Sequence, residues 1–504
     1  MEPAIADKLY TYFRKKVLDE NDPTSLLSKA KDFANYAWGN NPGFFRDEEV
    51  EKKIASVALP FIAHKLNQQG KHIVHIASRL YEVGGHTRCL LNLIDNMDQY
   101  RHTVVLTNQR SALPATVADF FKKKNVQIIE LPFNNEVIKK AELLRQKMIG
   151  LAPSKIIYFI HPDDLTSLLA FENFYPCERI VFNHADHVFW LGGNWYDKIF
   201  DFRRIGQQIS TKGRRSDSYL LPLPVIHDHK MIEKKTAKSI LGYTNEEVII
   251  GTVTNFSKVD GQKEGKNFAD VMLAWANEYP KLFFIIVGLT KDEFLSLLIN
   301  VTELPQNLLC KGVDPDVEKY YRAFDFFIES FPLGSGLGIL EACRYGAIPV
   351  FTPHASRLAS SYEVFDDEIK DFVKQPASID ELTMIFRENI SLTNKERDQL
   401  AEKIKKLIYE NHCGEKWIAK LEAPVEADHS YNETIDHSEM KREASFFMAI
   451  ARSETNRLCQ FLVTLKQLVD KKTLLSFMFG KSKIFSMRQL SYSSYKLIFY
   501  RLLR

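Results

Sequence analysis

The stretch FIESFPLGSGLGILEACRYGAIPVF, from Phe327 to Phe351, decides the architecture of this 504-residue chain. It reads as a strand, a glycine-rich loop, a helix opening at about Gly338, a turn at Gly346 and a second strand. Gly334, Gly336 and Gly338 allow sharp bends and a close backbone approach that a Cβ would obstruct. The helix that follows would aim its unsatisfied N–H groups and positive dipole end at an anion held over the loop. Glu341 is expected in the first turn of that helix, within reach of the same ligand. Glycines between a strand and a helix are also ordinary turn chemistry, so the loop taken alone is a weak signal.

The same alternation extends on both sides. His72 to Ala77 (HIVHIA), His102 to Thr107 (HTVVLT), Val126 to Leu131, Lys155 to Ile160 and Arg179 to Asn183 read as strands, with a turn at Gly84-Gly85 and an amphipathic helix over Thr87 to Met97. A second series starts at Val248 to Val253 and continues through a helix over Phe268 to Tyr279, the strand Leu282 to Val287, the strand Leu308 to Gly312 and a helix over Val317 to Ala323. Between the two series, the proline-punctuated Leu220 to Val225 suits an extended linker. Strands alternating with helices imply parallel βαβ units, so the expected class is α/β, with two doubly wound domains facing a cleft and ligands at the carboxyl ends of the strands. The expected divisions are a helical prefix over 1–69, domains over 70–222 and 223–422, and an acidic linker with a basic aromatic tail over 423–504.

Composition narrows the setting. A net charge of +3 is too small to indicate a nucleic-acid partner, and 45% hydrophobic with 26% charged residues describes a globular chain. The six cysteines show no paired spacing, which argues against a disulfide framework or a zinc site and for a reducing, cytoplasmic home. The N-terminal segment is charged, without the apolar core of a signal peptide, and no window has the length of a membrane-spanning helix. From Lys471 to Arg504 the chain carries basic and aromatic residues and no acid, the composition of a segment lying on an anionic membrane surface. A helical hairpin packed on the body with a solvated basic face has the same composition.

Two Rossmann-like halves, Gly84-Gly85 after the first strand, and a second half ending in ESFPLGSGLGILEA, Glu329 to Ala342, resemble a GT-B glycosyltransferase over roughly Lys71 to Glu422. The resemblance implies a nucleoside-diphosphate sugar held by the C-terminal domain and an acceptor presented by the N-terminal one, with no metal cofactor. It places Glu341 on the ribose hydroxyls, and the backbone of Gly336, Leu337 and Gly338 on the donor phosphates or sugar, with the Ser335 hydroxyl beside them. Lys266, in GKNF, matches the lysine that neutralises the diphosphate, and Lys258 and Lys263 in the same loop are its alternatives. Gly84 and Gly85 would close over the phosphates, and Arg88 would add positive charge to the cleft. In His184-Ala-Asp186-His187, either histidine is a candidate base or sugar contact, oriented by Asp186. His161-Pro-Asp163-Asp164 is a further candidate on the acceptor side, and Trp190 and Trp195 would stack on a sugar or serve as packing. The implied activity is hexosyl transfer to a hydroxyl of a glycan, lipid-linked or protein acceptor in surface-glycan or glycoprotein assembly, at the inner face of a membrane.

One position departs from the pattern. Eight residues before the glutamate of LEA, the retaining branch carries a second glutamate where this chain has Leu333, and Glu329 lies further back. The PLGSGLGILEA segment is also similar to the donor loop of inverting O-linked N-acetylglucosamine transferases, which leaves the stereochemistry open. Leu333 motivates the alternative of a catalytically inactive GT-B-shaped subunit that stabilises a partner or recruits its acceptor. A metal-dependent GT-A enzyme would use an Asp-x-Asp such as Asp314-Pro-Asp316, but here the pair precedes a helix, where N-capping explains it. A dinucleotide oxidoreductase would need GxGxxG after its first strand, which Gly84-Gly85 does not supply.

Overall fold

The computed structural model describes residues 3–424, apart from 41–42, 58, 60–69, 83, 135, 160, 193–194, 227–232 and 355, with backbone alone at 3–6 and 427–428. The basic aromatic tail and its expected membrane contact lie outside the described residues.

Seven strands, β1 (His72–Ala77), β2 (Arg101–Leu106), β3 (Gln127–Glu130), β4 (Lys155–Phe159), β5 (Glu178–Phe182), β6 (Lys198–Asp201) and β7 (Ser218–Leu220), form a parallel sheet in the order β7-β6-β5-β4-β1-β2-β3. Ala427–Asp428 adds an antiparallel edge to β7. A second parallel sheet contains β8 (Ile249–Val253). After the two-residue hairpin strands β9 (Gln262–Lys263) and β10 (Lys266–Asn267), it takes in β11 (Phe283–Val287), β12 (Leu308–Cys310), β13 (Phe326–Ile328) and β14 (Ile348–Val350). Its order is β12-β11-β8-β13-β14. Both central strands are covered on both faces, which is why HIVHIA and IIGTV read as nearly continuous apolar runs.

Strand order reverses between β1 and β4 in the first sheet and between β8 and β13 in the second. At such switch points the loops leaving adjacent strands diverge and open a crevice at the carboxyl ends. The loops after β8 and β13 contain Lys258 and Gly334 respectively, so the topology alone brings the opening glycine stretch to a lysine far from it in sequence.

The prefix folds as helices Pro3–Leu18, Pro23–Gly39 and Glu48–Ala55. Asp22 caps the second by accepting from Ser25 N at 2.8 Å, with Pro23 pre-set for the first turn. Its apolar face joins the first sheet, Phe13, Val17, Phe33 and Ala37 sharing one core with Val74, Val105, Ile156 and Tyr158. At the other end, helices Asn394–His412 and Gly414–Glu422 return across the linker. The Trp417 indole donates to Pro222 O at 2.7 Å, His412 Nδ1 contacts Leu223 O at 2.8 Å, and Gly414 N donates to Asn96 Oδ1 at 2.8 Å. The first two bonds satisfy carbonyls of the extended, proline-interrupted segment, and the third ties helix Gly414–Glu422 to helix Gly85–Asn96.

Strands β6 and β7 do not stand out in the sequence because KIFD and SYL are too short to show a period. The helix after the glycine loop spans Gly336–Arg344, with Ile339 N donating to Ser335 O at 3.0 Å. Glu341 therefore stands in the second turn, not the first.

Candidate active site

A cavity of about 380 Å3 lies between the carboxyl ends of the two sheets. The second sheet contributes Lys258, Leu333, Gly334, Gly336 and Leu337, and the first contributes Gly85, His86, His184, Asp186 and His187. These segments of the two halves come together only through the fold.

On the second-sheet wall, the short helix Phe256–Val259 turns Lys258 inward, where its Nζ donates to Gly334 O at 3.0 Å. Burial pulls this ammonium down to about 8, against the opposing pull of Glu329. Lys266, one residue into β10, is exposed on the hairpin and does not line the cavity, and Lys263 lies on the paired strand. Ser335 occupies the N-cap of Gly336–Arg344 without a side-chain capping bond. Gly338 sits behind the lining, where an added Cβ would lie 3.2 Å from the Tyr321 hydroxyl.

Glu329 is wholly buried beneath this loop and does not line the cavity. It accepts from Ser361 N at 2.5 Å and Thr352 N at 3.1 Å, and His354 Nε2 stands 3.0 Å away. His354 Nδ1 faces Pro332 O at 3.0 Å, so the ring bridges Glu329 and the backbone of the loop. Glu329 is thus an organiser of the loop, and the cavity position eight residues before Glu341 is filled by apolar Leu333.

The opposite wall carries the histidines. His184 stacks on His86 with ring centroids 5.3 Å apart. Burial, reinforced by His86, pushes His184 down to about 3, and burial pushes His86 down to about 4. His187 Nδ1 lies 2.9 Å from Asp186 Oδ1 and donates to that carboxylate. Burial would raise the Asp186 carboxyl, but Arg203 and His187 outweigh it and hold it well below the usual carboxylate range. Asp186 therefore orients His187 and Arg203, not His184.

The remaining expected residues fall outside the lining. Gly84 is the N-cap of helix Gly85–Asn96. From that helix Arg88 Nε donates to Glu341 Oε1 at 2.6 Å, which joins these two residues to each other. His161 pairs with Asp163, and Asp164 accepts from Ser78 Oγ at 2.6 Å beside a small enclosed space of about 20 Å3. Trp190 and Trp195 are buried packing residues, the former under the Arg214 guanidinium at 4.6 Å. Asp314 accepts from Asp316 N and Tyr320 Oη, both at 2.9 Å, in a turn before helix Glu318–Ala323, whose N-cap is Val317.

No family model and no curated protein matches the sequence. Among solved structures, a glycosyltransferase from Rickettsia africae superposes with a TM-score of 0.53 at 12% identity, covering 69% of this chain and 95% of that one. The chain has the GT-B fold. An O-GlcNAc transferase from Thermobaculum terrenum aligns at a TM-score of 0.49 and 11% identity over 88% of this chain and 78% of that one. A UDP-GlcNAc 2-epimerase from Neisseria meningitidis aligns at 0.42 and 12% identity over 70% and 98%.

Within this GT-B frame, the lining includes residues that sequence reading did not select as site residues. His86 follows the selected glycine pair and was visible only as a helix-start residue. Arg203, Leu358, Ala359, Ser360 and Ser361 also line the cavity, and no local pattern marks them.

Proposed function

We propose that the chain is a glycosyltransferase that moves a sugar from a nucleoside-diphosphate sugar to an acceptor hydroxyl. Lys258 carries this reading. It is a cation in a cavity at the switch point of the second sheet, bonded to a carbonyl, with no ion pair among the described residues. As the bond from the anomeric carbon to the diphosphate breaks, negative charge gathers on the leaving oxygens, and a fixed cation there lowers the barrier. The uncapped start of helix Gly336–Arg344 offers further N–H donors beside it.

On the facing wall, His187 lines the cavity and is held by Asp186 through Nδ1, which suits it to the task of taking a proton from the acceptor hydroxyl. The depressed His184 remains a neutral imidazole and suits a hydrogen bond to the sugar. Glu341 is assigned to the ribose hydroxyls, after release from Arg88. The cation's task falls to Lys258, and the reading calls for no metal. The acceptor is a glycan, lipid-linked or protein hydroxyl in surface-glycan or glycoprotein assembly, at the cytoplasmic face of a membrane. That setting is supported by the composition of the basic aromatic tail.

Thermal-shift screening against UDP-, GDP- and other nucleotide sugars, followed by donor hydrolysis assays, tests the reading, because a bound ligand raises apparent stability by mass action. Stabilisation and turnover by one donor, both lost in Lys258→Met, are the expected result. Absence of turnover with every donor would favour an inactive partner subunit.

A further inference from the structure

Arg203, immediately after β6 and Phe202, binds both halves of the molecule. Its Nε and Nη2 donate to Asp186 Oδ2 and Oδ1 at 2.8 and 2.7 Å, a two-point contact that fixes the plane of the guanidinium. From that plane Nη1 reaches the second half, donating to Leu358 O at 3.0 Å and Ser360 O at 3.3 Å. The side chain is only 10% exposed. The fit around it is close, since a Cβ on Gly206 would lie 2.5 Å from Asp186 Oδ2.

The two carbonyls belong to a segment that holds the glycine loop. Gly334 N donates to Ala359 O at 2.8 Å, Ser361 N donates to Glu329 at 2.5 Å, and Leu333 N donates to Lys258 O at 3.1 Å. Hydrogen bonds thus run without a break from His187 through Asp186 and Arg203 to segment 358–361, and from there to Gly334 and Lys258. An apolar contact backs the link, with Leu358, Ala359 and Leu333 of the second half packing on Phe45, Ile205 and Ile209 of the first. A guanidinium suits this junction because one flat group serves a carboxylate on one edge and carbonyls on the other, and a lysine ammonium has no such geometry.

We propose that Arg203 is a positioning residue that clamps the glycine-rich loop of the second half onto the histidine-bearing wall of the first, so that the cavity is complete only while this clamp is closed. Its consequence for the donor rests on the transferase reading, whereas the clamp itself does not.

Hydrogen–deuterium exchange on the full chain separates the two. In Arg203→Met, amides of 332–338 and 356–362 should exchange at least tenfold faster than in the parent, while strands β1 and β11 keep their protection. Arg203→Lys should fall between them, and Arg204→Met, which removes the exposed Arg204–Asp367 pair, should match the parent. Unchanged exchange in 332–338 in both Arg203 variants overturns the clamp, whether or not the chain transfers sugars. UDP and GDP serve as the binding probes. Affinity at least tenfold weaker in Arg203→Met, restored in part by lysine, supports the positioning role, and equal affinity overturns it. If neither nucleotide binds the parent, the donor reading fails and the exchange data alone decide the clamp. Should the methionine variant not fold, Asp186→Asn replaces it in the same measurements.

Discussion

Arg88 and Glu341 meet across the cleft, Arg88 Nε donating to Glu341 Oε1 at 2.6 Å, with side chains 35% and 7% exposed respectively. The unequal exposure makes the pair asymmetric. Removing Arg88 strands a buried carboxylate, at a cost of about 3 kcal/mol, whereas removing Glu341 leaves a guanidinium that can turn to solvent, at about 1 kcal/mol. Urea denaturation of Arg88→Ala, Glu341→Gln and the double variant checks this. Equal losses for the two single variants would contradict the asymmetry.

Three histidines, His102 buried and His86 and His184 half-buried, oppose acid conditions in the folded chain. Burial pushes His184 down to about 3 and His86 and His102 to about 4, from an ordinary value of 6.5. Each is neutral in the folded chain where the unfolded chain would take up a proton. Their contribution is complete above 6.5 and is lost as pH falls toward 4 and then 3, at about 1.4 kcal/mol per group per pH unit. His102 bonds to His75 at 2.9 Å and to Met97 O at 2.8 Å, far from the cavity, which makes it the clean probe. Between pH 7 and 5, His102→Gln should flatten the stability difference by about 2 kcal/mol, measured by urea midpoints.

The strands were legible because their apolar runs are long enough to show burial on both faces, as in HIVHIA and LFFIIV. The site was legible in kind more than in detail. Three lysines share the loop after β8, and only the one-turn helix Phe256–Val259 followed by a hairpin decides that Lys258 turns inward and Lys266 outward. Arg88 and Glu341 are 253 residues apart, and no local pattern announces their contact. Arg203 follows a four-residue strand with no visible period, and its partners come from both halves. Long-range pairing of charged groups depends on how the sheets face each other, and periodicity carries no information about that.

Two glycines on facing sides of the cleft, Gly334 and Gly84, should respond differently to an added methyl group. A Cβ on Gly334 would lie 2.3 Å from Glu329 Oε1, which is held by Ser361 N, and 2.4 Å from Ser361 Oγ. Gly334→Ala should therefore cost about 1–3 kcal/mol through overpacking. No atom of the described residues lies within 4 Å of the Gly84 Cβ position, so Gly84→Ala should stay within about 0.5 kcal/mol of the parent. If the donor phosphates pass over Gly84, that same variant will bind UDP or GDP more weakly at unchanged stability. Thermal unfolding with and without nucleotide separates these effects.

Lys258 should trade stability for function. Its charge is held at a cost, because burial lowers its pKa from 10.5 to about 8. At pH 7 the ammonium is protonated in both folded and unfolded chains, and the folded chain carries the desolvation penalty. Lys258→Met removes the charge and keeps the apolar stem, so the free protein should gain about 1–3 kcal/mol at pH 7. Between pH 8 and 10.5 the unfolded chain binds the extra proton, so the parent's stability rises with pH from this group and the variant lacks that rise. An anionic diphosphate would repay the penalty by pairing with the ammonium, so the variant should lose at least tenfold in UDP or GDP affinity. Urea denaturation at pH 7 and 9.5 alongside nucleotide titration tests both halves of the trade. A variant that is less stable than the parent at pH 7 would show that the bond from Lys258 Nζ to Gly334 O outweighs the cost of burying the charge.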